Sequence, residues 1–171
     1  MPLFKILNFV LFQAGWFAAA LMQDGAIWIM LALVVLHFCI SPSKLADAKL
    51  LLMLLPIGLT LEILMISLGF VTFNSIFVLP IWMILLWCLL ILSFNHSLKW
   101  LRDIPKIWQV LLSGCFGAAS YFAAQKFAAL SIGEPILLCG LAIAVVWAIQ
   151  LPVMLHITKQ LNAEGTPCIN N

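Results

Sequence analysis

The chain has 171 residues, of which 65% are hydrophobic and 8% charged, with a formal net charge of +2; its mean hydropathy is +1.20. A soluble domain is about half apolar and about a quarter charged, so a water-soluble globular protein, a disordered chain and a nucleic-acid binder are excluded. The apolar blocks are long and unbroken, which excludes a small outer-membrane barrel with its short alternating strands, and the remaining class is an all-α polytopic membrane protein.

Six apolar blocks predict six transmembrane helices, at about 4–22, 26–40, 50–70, 76–94, 107–130 and 136–157. Lys5 precedes the first block and Ala18-Ala19-Ala20 falls near its end, which imitates a signal-peptide cleavage site. The block is long enough to span a bilayer and is read as a retained helix. Gln23-Asp24-Gly25 separates it from the second block, which Ser41-Pro42 ends, and the polar stretch Ser43–Lys49 reads as a connection. The third block carries Pro56 near its start and closes on the turn Thr72-Phe73-Asn74-Ser75. Pro80 falls in the first turn of the fourth, where proline is tolerated. A polar loop at 95–106 precedes the fifth block, Ser131-Ile132-Gly133-Glu134-Pro135 is a turn signal before the sixth, and the tail 158–171 is polar. At about 20 residues per span, six helices leave no room for a soluble domain. Short connections make successive helices antiparallel neighbours in one compact bundle. No internal repeat is evident, so an inverted-repeat transporter finds no support.

Lysine and arginine placement sets the orientation. If the blocks alternate, Lys5, Lys44, Lys49, Lys99, Arg102, Lys106 and Lys159 fall on one side and Lys126 on the other. Both termini are therefore expected in the cytoplasm. Trp82, Trp100 and Trp108 lie near block ends, where indole rings favour the interface, whereas Trp16 and Trp147 lie deeper and suit packing or a cavity wall. The five cysteines are scattered without a C-x-x-C pair and read as small buried hydrophobes.

Polar side chains inside apolar blocks are where function would show, because each must find a partner or cost several kcal/mol, roughly 2–7 by transfer scales. Glu62 lies about 18 Å along the third helix from Leu50, near the midplane, with no lysine or arginine at its depth. Such an acid either carries its proton or faces a polar interior. Two readings stand: an acid that handles protons or substrate, and a structural hydrogen bond that fixes packing. Gln13 lies at similar depth, Asn8 a turn and a half from it, and Gln150 beside Pro152, whose freed backbone carbonyl it could satisfy. His37, His96 and His156 fall toward the cytoplasmic end, and interfacial hydrogen bonding accounts for them better than a metal or haem. With Asn95 these residues suggest one polar cavity open to the cytoplasm. Ser113, Gly114, Gly117, Ala118, Tyr121, Ala124 and Ala128 form a thin stripe on the fifth helix that permits close helix approach, with Tyr121 able to bond inward. The candidate functional set is Glu62, Gln13, Asn8, His37, Asn95, His96, Gln150, Trp16 and Tyr121. No phosphate-binding loop, dinucleotide fingerprint, nucleophile elbow or zinc-helix motif is present, and no catalytic, cofactor or metal residue is assigned.

The runs Asn8-Phe9-x-x-Phe12-Gln13-x-Gly15-Trp16-Phe17 and Asn95-His96-Ser97-Leu98-x-Trp100-Leu101, with Pro80-x-Trp82 and the Gly114…Ser120-Tyr121 stretch, resemble a family of small bacterial inner-membrane proteins of unknown function. The likeness covers nearly the whole chain. It implies a bacterial inner membrane and a compact helical bundle, with an aspartate in many members near the place of Glu62, and a loose association with lipid-modifying and stress-response neighbours. It supplies no activity. The expected role is an accessory or scaffold component of envelope or lipid metabolism, more a non-enzyme than an enzyme. The alternatives are a small-solute transporter or substrate-capturing membrane subunit, and, behind these, a lipid-acting intramembrane enzyme. The expected partners are the bilayer and another membrane protein, with no nucleic acid and no cofactor.

Overall fold

A computed structural model describes residues 2–164. Among them are six α-helices: α1 (Pro2–Met22), α2 (Ile27–Ile40), α3 (Lys44–Ser67), α4 (Ile81–Ser93), α5 (Lys106–Lys126) and α6 (Ile136–Glu164). Two short strands, β1 (Val71–Phe73) and β2 (Leu130–Ile132), pair antiparallel with Thr72 opposite Ser131. Four helical segments are long and apolar enough to cross a membrane: Leu3–Ile40, Lys44–Ser67, Lys106–Lys126 and Ile136–Ala163; Ile81–Ser93 is apolar but shorter. The turn at Gln23–Ala26 folds the first of these into α1 and α2.

Hydrogen bonds fix which helix ends lie together. Asn8 near the start of α1 reaches His37 near the end of α2 and the Leu92 carbonyl near the end of α4. Asn95 after α4 reaches Asp47 in the first turn of α3 and accepts from Asn162 near the end of α6. This end of the bundle therefore carries the starts of α1 and α3 and the close of α6. At the opposite end Ser75 donates to Asp24 and the β1–β2 ribbon ties the turn after α3 to the turn after α5.

Helix α4 lies at the centre, packed against α1, α2 and α3, with Trp82, Met83, Trp87 and the run Leu89–Phe94 buried. Thirteen residues rise about 20 Å, short of the roughly 30 Å of a bilayer's hydrocarbon. The helix starts at Ile81, with Pro80 as its cap, and residues 76–80 are not helical. The expected span over 76–94 is corrected accordingly: apolar composition all round a segment carries no helical period, so it could not show that helix begins only after proline. Trp82, expected at an interface, is 2% exposed, whereas Trp100 and Trp108 are exposed as expected. The stretch Ser43–Lys49, expected as a connection, forms the opening turns of α3, since Lys44-Leu45-Ala46-Asp47-Ala48-Lys49 contains no helix breaker after Pro42-Ser43. The fifth helix ends at Lys126 rather than 130 because the chain turns into β2, and the sixth continues to Glu164.

The structure also reveals an internal repeat that the sequence conceals. The units α3–β1–α4 and α5–β2–α6 have the same element order, and their strands and helix caps correspond at an offset of 59 residues. The buried positions Leu50, Leu54, Gly58 and Glu62 of α3 correspond to Gln109, Ser113, Gly117 and Tyr121 of α5. Both helices close on a left-handed residue, Gly69 (φ +75°) and Ala128 (φ +54°). The cap bonds correspond as well: Gly69 N–H to Ile66 and Phe70 N–H to Met65 in one unit, Ala128 N–H to Gln125 and Ala129 N–H to Ala124 in the other. Trp87 of α4 and Trp147 of α6, 60 apart, stack on each other with centroids 5.4 Å apart and planes 10° from parallel. In the aligned stretch 50–73 against 109–132, identities are confined to Leu52/Leu111 and Gly58/Gly117. Gly58 and Gly117 hold the corresponding contacts, each backing onto the ring of its own unit's tryptophan, Trp87 and Trp147. The α3–α6 seam is packed, whereas its counterpart between α5 and α4 is open.

Candidate functional site

The polar residues do not gather in one cavity. They form two clusters on α3, fifteen residues and so about 22 Å apart along the helix.

The first cluster centres on Asp47, fully buried near the end that carries the N-terminus. His37 Nε2 lies 3.1 Å from Asp47 Oδ2, and His96 Nε2 lies 3.0 and 3.1 Å from Oδ2 and Oδ1. Ser41 Oγ donates to Oδ2 at 2.5 Å and Asn95 Nδ2 to Oδ1 at 3.2 Å. This set of donors suits an ionised carboxylate, which accepts at both oxygens. Asn8 sits behind His37. Its Oδ1 accepts from the Ser97 N–H at 3.2 Å and the Ser97 hydroxyl at 2.6 Å, so its Nδ2 faces His37 Nδ1 at 3.3 Å. A backbone N–H can only donate, which orients the amide. His37 Nδ1 must then accept, and its proton sits on Nε2, toward Asp47.

His37, Asp47 and His96 present three ligand atoms within 4.8 Å of one another, a spacing that a metal could bridge. The Asn8 amide opposes this. A histidine that binds metal through Nε2 carries its proton on Nδ1, and that proton would meet the donating Nδ2 of Asn8. The cluster fits a hydrogen-bonded knot of buried side chains better than it fits a metal. It joins α1, α2, α3 and the turn after α4.

The second cluster centres on Glu62, 0% exposed and turned into the bundle. Tyr121 O–H donates to its Oε2 at 2.7 Å, with Oε1 at 2.9 Å, and Trp87 Nε1 donates to Oε2 at 3.2 Å. Glu62 and Tyr121 hold corresponding positions 59 residues apart, so this bond joins the two units at equivalent places on α3 and α5. The stacked Trp87–Trp147 pair lies against them, with the Trp147 ring 6.3 Å from that of Tyr121.

In front of this pair is a cleft of about 70 Å³, open on one side. It lies between α1 and α4 on one side and α5, β2 and α6 on the other, with Phe12 and Trp16 of α1, Trp82 and Trp87 of α4, Tyr121 of α5 and Trp147 of α6 in its walls. Trp16 bridges toward the other side, its ring 6.4 Å from that of Phe127. Trp82 has a buried indole N–H without a hydrogen-bond partner among the described residues, a state that buried donors seldom occupy, whereas the Trp147 indole N–H faces the Tyr121 hydroxyl. Beside the cleft, Phe17 on α1 and Phe116 on α5 are exposed and apolar.

Of the residues singled out from the sequence, Asn8, His37, Asn95 and His96 meet in the first cluster, Glu62 and Tyr121 in the second, and Trp16 lines the cleft. Among the described residues, half-buried Gln13 makes no side-chain hydrogen bond, and Gln150 is buried with neither polar atom partnered, rather than bonded to a backbone carbonyl. His156 is exposed. Asp47 was missed because its stretch read as a loop. Trp87 was missed because nothing in an unbroken apolar run distinguishes one indole from another. Cys39, Cys88, Cys115 and Cys139 are free thiols, two of them exposed, and Cys168 lies outside the described residues.

No curated protein and no solved structure matches the chain. A family described as "protein of unknown function (DUF2878)" matches residues 5–153, most of the chain and both clusters, and the protein belongs to that family.

Proposed function

We propose that the protein is a six-span protein of the bacterial inner membrane, with both termini in the cytoplasm, that captures a lipid-soluble ligand in the cleft between α1 and α5. It would serve as a substrate-capturing or accessory component of envelope lipid metabolism. The orientation rests on the seven lysines and arginines at the end that carries the N-terminus, against Lys126 alone at the other. The observation that carries the ligand reading is the buried indole N–H of Trp82, unpartnered among the described residues, in the wall of an aromatic cleft whose floor is Tyr121 bonded to Glu62. An N–H group in apolar surroundings calls for an acceptor, and a cleft walled by aromatic rings suits an apolar molecule. The ligand class is therefore a chain or ring that presents a carbonyl or hydroxyl oxygen. A volume of about 70 Å³ admits the head or tip of such a molecule and not a whole phospholipid. Tyr121 acts in recognition as a polar floor, and Glu62 behind it fixes the direction of its hydroxyl.

Photocrosslinking in proteoliposomes tests this. A fatty acid with a diazirine on its chain near the carboxyl end should label cleft residues between 12 and 20, 82 and 90, or 120 and 124. Trp82→Phe, which keeps the ring and removes the donor, should lower that labelling about fivefold, the equivalent of one hydrogen bond near 1 kcal/mol. Labelling confined to outward positions such as Trp28 and Leu52, unchanged by Trp82→Phe, would favour the second reading. In that reading the sealing of Glu62 by Tyr121 and Trp87 makes both clusters structural, and the protein a scaffold.

A further inference from the structure

The loop between α4 and α5 and the last turns of α6 enclose a concavity of about 720 Å³, lined by Arg102, Asp103, Lys106, Gln109, His156 and Lys159 among others. Arg102 and Lys159 also border an adjoining concavity of about 400 Å³ that includes Lys99. We propose that this basic groove binds a phosphate group, either of an anionic lipid headgroup or of a soluble phosphate.

The surplus of cations at this end follows from topology. Topology does not explain why they surround a hollow, nor why they are unpaired in it. Among the described residues the carboxylate ion pairs within 4.0 Å involve His37 and His96 with Asp47, and none involves Lys99, Arg102, Lys106 or Lys159. Asp103 is the groove's own acid; its charge acts on Arg102, but it forms no ion pair within 4.0 Å among the described residues. Arg102 is half-buried, and its guanidinium, with five N–H donors in a fixed fork, meets no hydrogen-bond acceptor among the described residues; the hydrogen bond at that residue is to its backbone carbonyl, from Gln109. Burial holds its guanidinium below the usual arginine value, partly offset by the negative charge of nearby Asp103. An oxyanion with several acceptors on a tetrahedral centre is the ligand that such a fork fits, and the lysines add charge without demanding geometry. Exposed Trp100 and Trp108 stand on the same loop and the same helix start, at the level where indoles mark the headgroup zone. Basic pockets between helices at that level are suited to anionic headgroups.

The test is native mass spectrometry of the delipidated protein titrated with phosphatidylglycerol or phosphatidylcholine, with unfolding midpoints in inorganic phosphate as the second arm. Wild type should retain phosphatidylglycerol in preference to phosphatidylcholine. Arg102→Gln and Lys159→Gln should each lower phosphatidylglycerol retention about fivefold and leave phosphatidylcholine unchanged. Lys159 is exposed, so that variant reads the groove even if Arg102→Gln unfolds. If inorganic phosphate raises the midpoint of wild type but not of Lys159→Gln, and displaces the lipid, the source is soluble phosphate. If phosphatidylglycerol retention depends on the two residues and phosphate has no effect, the source is the headgroup. Retention and midpoint that are both indifferent to Arg102 and Lys159 would overturn the proposal.

Discussion

Asp47→Asn is the sharpest perturbation of the fold. The carboxylate accepts from His37 Nε2 at 3.1 Å, His96 Nε2 at 3.0 Å, Ser41 Oγ at 2.5 Å and Asn95 Nδ2 at 3.2 Å. A carboxamide of the same shape offers one accepting oxygen and one NH2. If the oxygen stays toward His96 and Asn95, the NH2 faces His37 and Ser41. Ser41 escapes, because a hydroxyl rotates and can accept. His37 cannot, because Asn8 holds its proton on Nε2. One or two donors are left facing a donor inside the bundle, at about 1–3 kcal/mol each, so the expected loss is about 2–5 kcal/mol. Equilibrium unfolding in mixed micelles, followed by near-ultraviolet circular dichroism, measures it. A double-mutant cycle with His37→Leu should return a coupling of at least about 1 kcal/mol, since removing the imidazole removes the donor left stranded. If Asp47→Asn lies within about 0.5 kcal/mol of wild type, the usual range of an uninvolved surface position, the knot does not hold these helices together.

Two further outcomes follow from the repeat. A methyl group added at Gly117 would lie 2.3 Å from Trp147 Cγ and one at Gly58 would lie 2.7 Å from Trp87 Cε3. Both Gly→Ala variants should therefore lose about 1–3 kcal/mol in the same unfolding assay, whereas Gly25→Ala, whose nearest neighbour is Met22 Cβ at 3.9 Å, should be near neutral. Ala128 holds the left-handed cap that Gly69 holds in the other unit. Ala128→Gly should gain about 0.5–1 kcal/mol, because the left-handed conformation costs an L-residue about 1–2 kcal/mol and glycine's extra freedom in the unfolded chain returns part of that. A loss on Ala128→Gly would contradict the correspondence of the two caps.

Solvent class, helix content and several site residues were legible because they depend on composition and depth. Long apolar blocks announce membrane helices, and an acid twelve residues inside one must turn inward, as Glu62 does. Asn8, His37, Asn95 and His96 were placed at one end by counting residues from block edges, and they do meet there. What was illegible depends on partners. Asp47 was lost because a charged turn at the start of α3 has the composition of a loop, and what distinguishes it is a set of donors from three other segments. The start of α4 was lost because Ile76-Phe77-Val78 is as apolar as the helix after Pro80, though these three residues are exposed and not helical. The repeat was lost because its register survives in backbone geometry and burial while side chains have diverged. A glutamate in one unit faces a tyrosine in the other, and the two correspond only as partners in one hydrogen bond.

The most direct test of the captured-ligand account is an experimental density map of the protein in lipid nanodiscs, read at the seam between α1 and α5. Continuous density should enter from the acyl region and end within hydrogen-bond distance of Trp82 Nε1, beside Trp147 and above the Tyr121–Glu62 pair. A seam closed by side chains, with the Trp82 indole bonded to a protein group and no density beside it, would contradict the account.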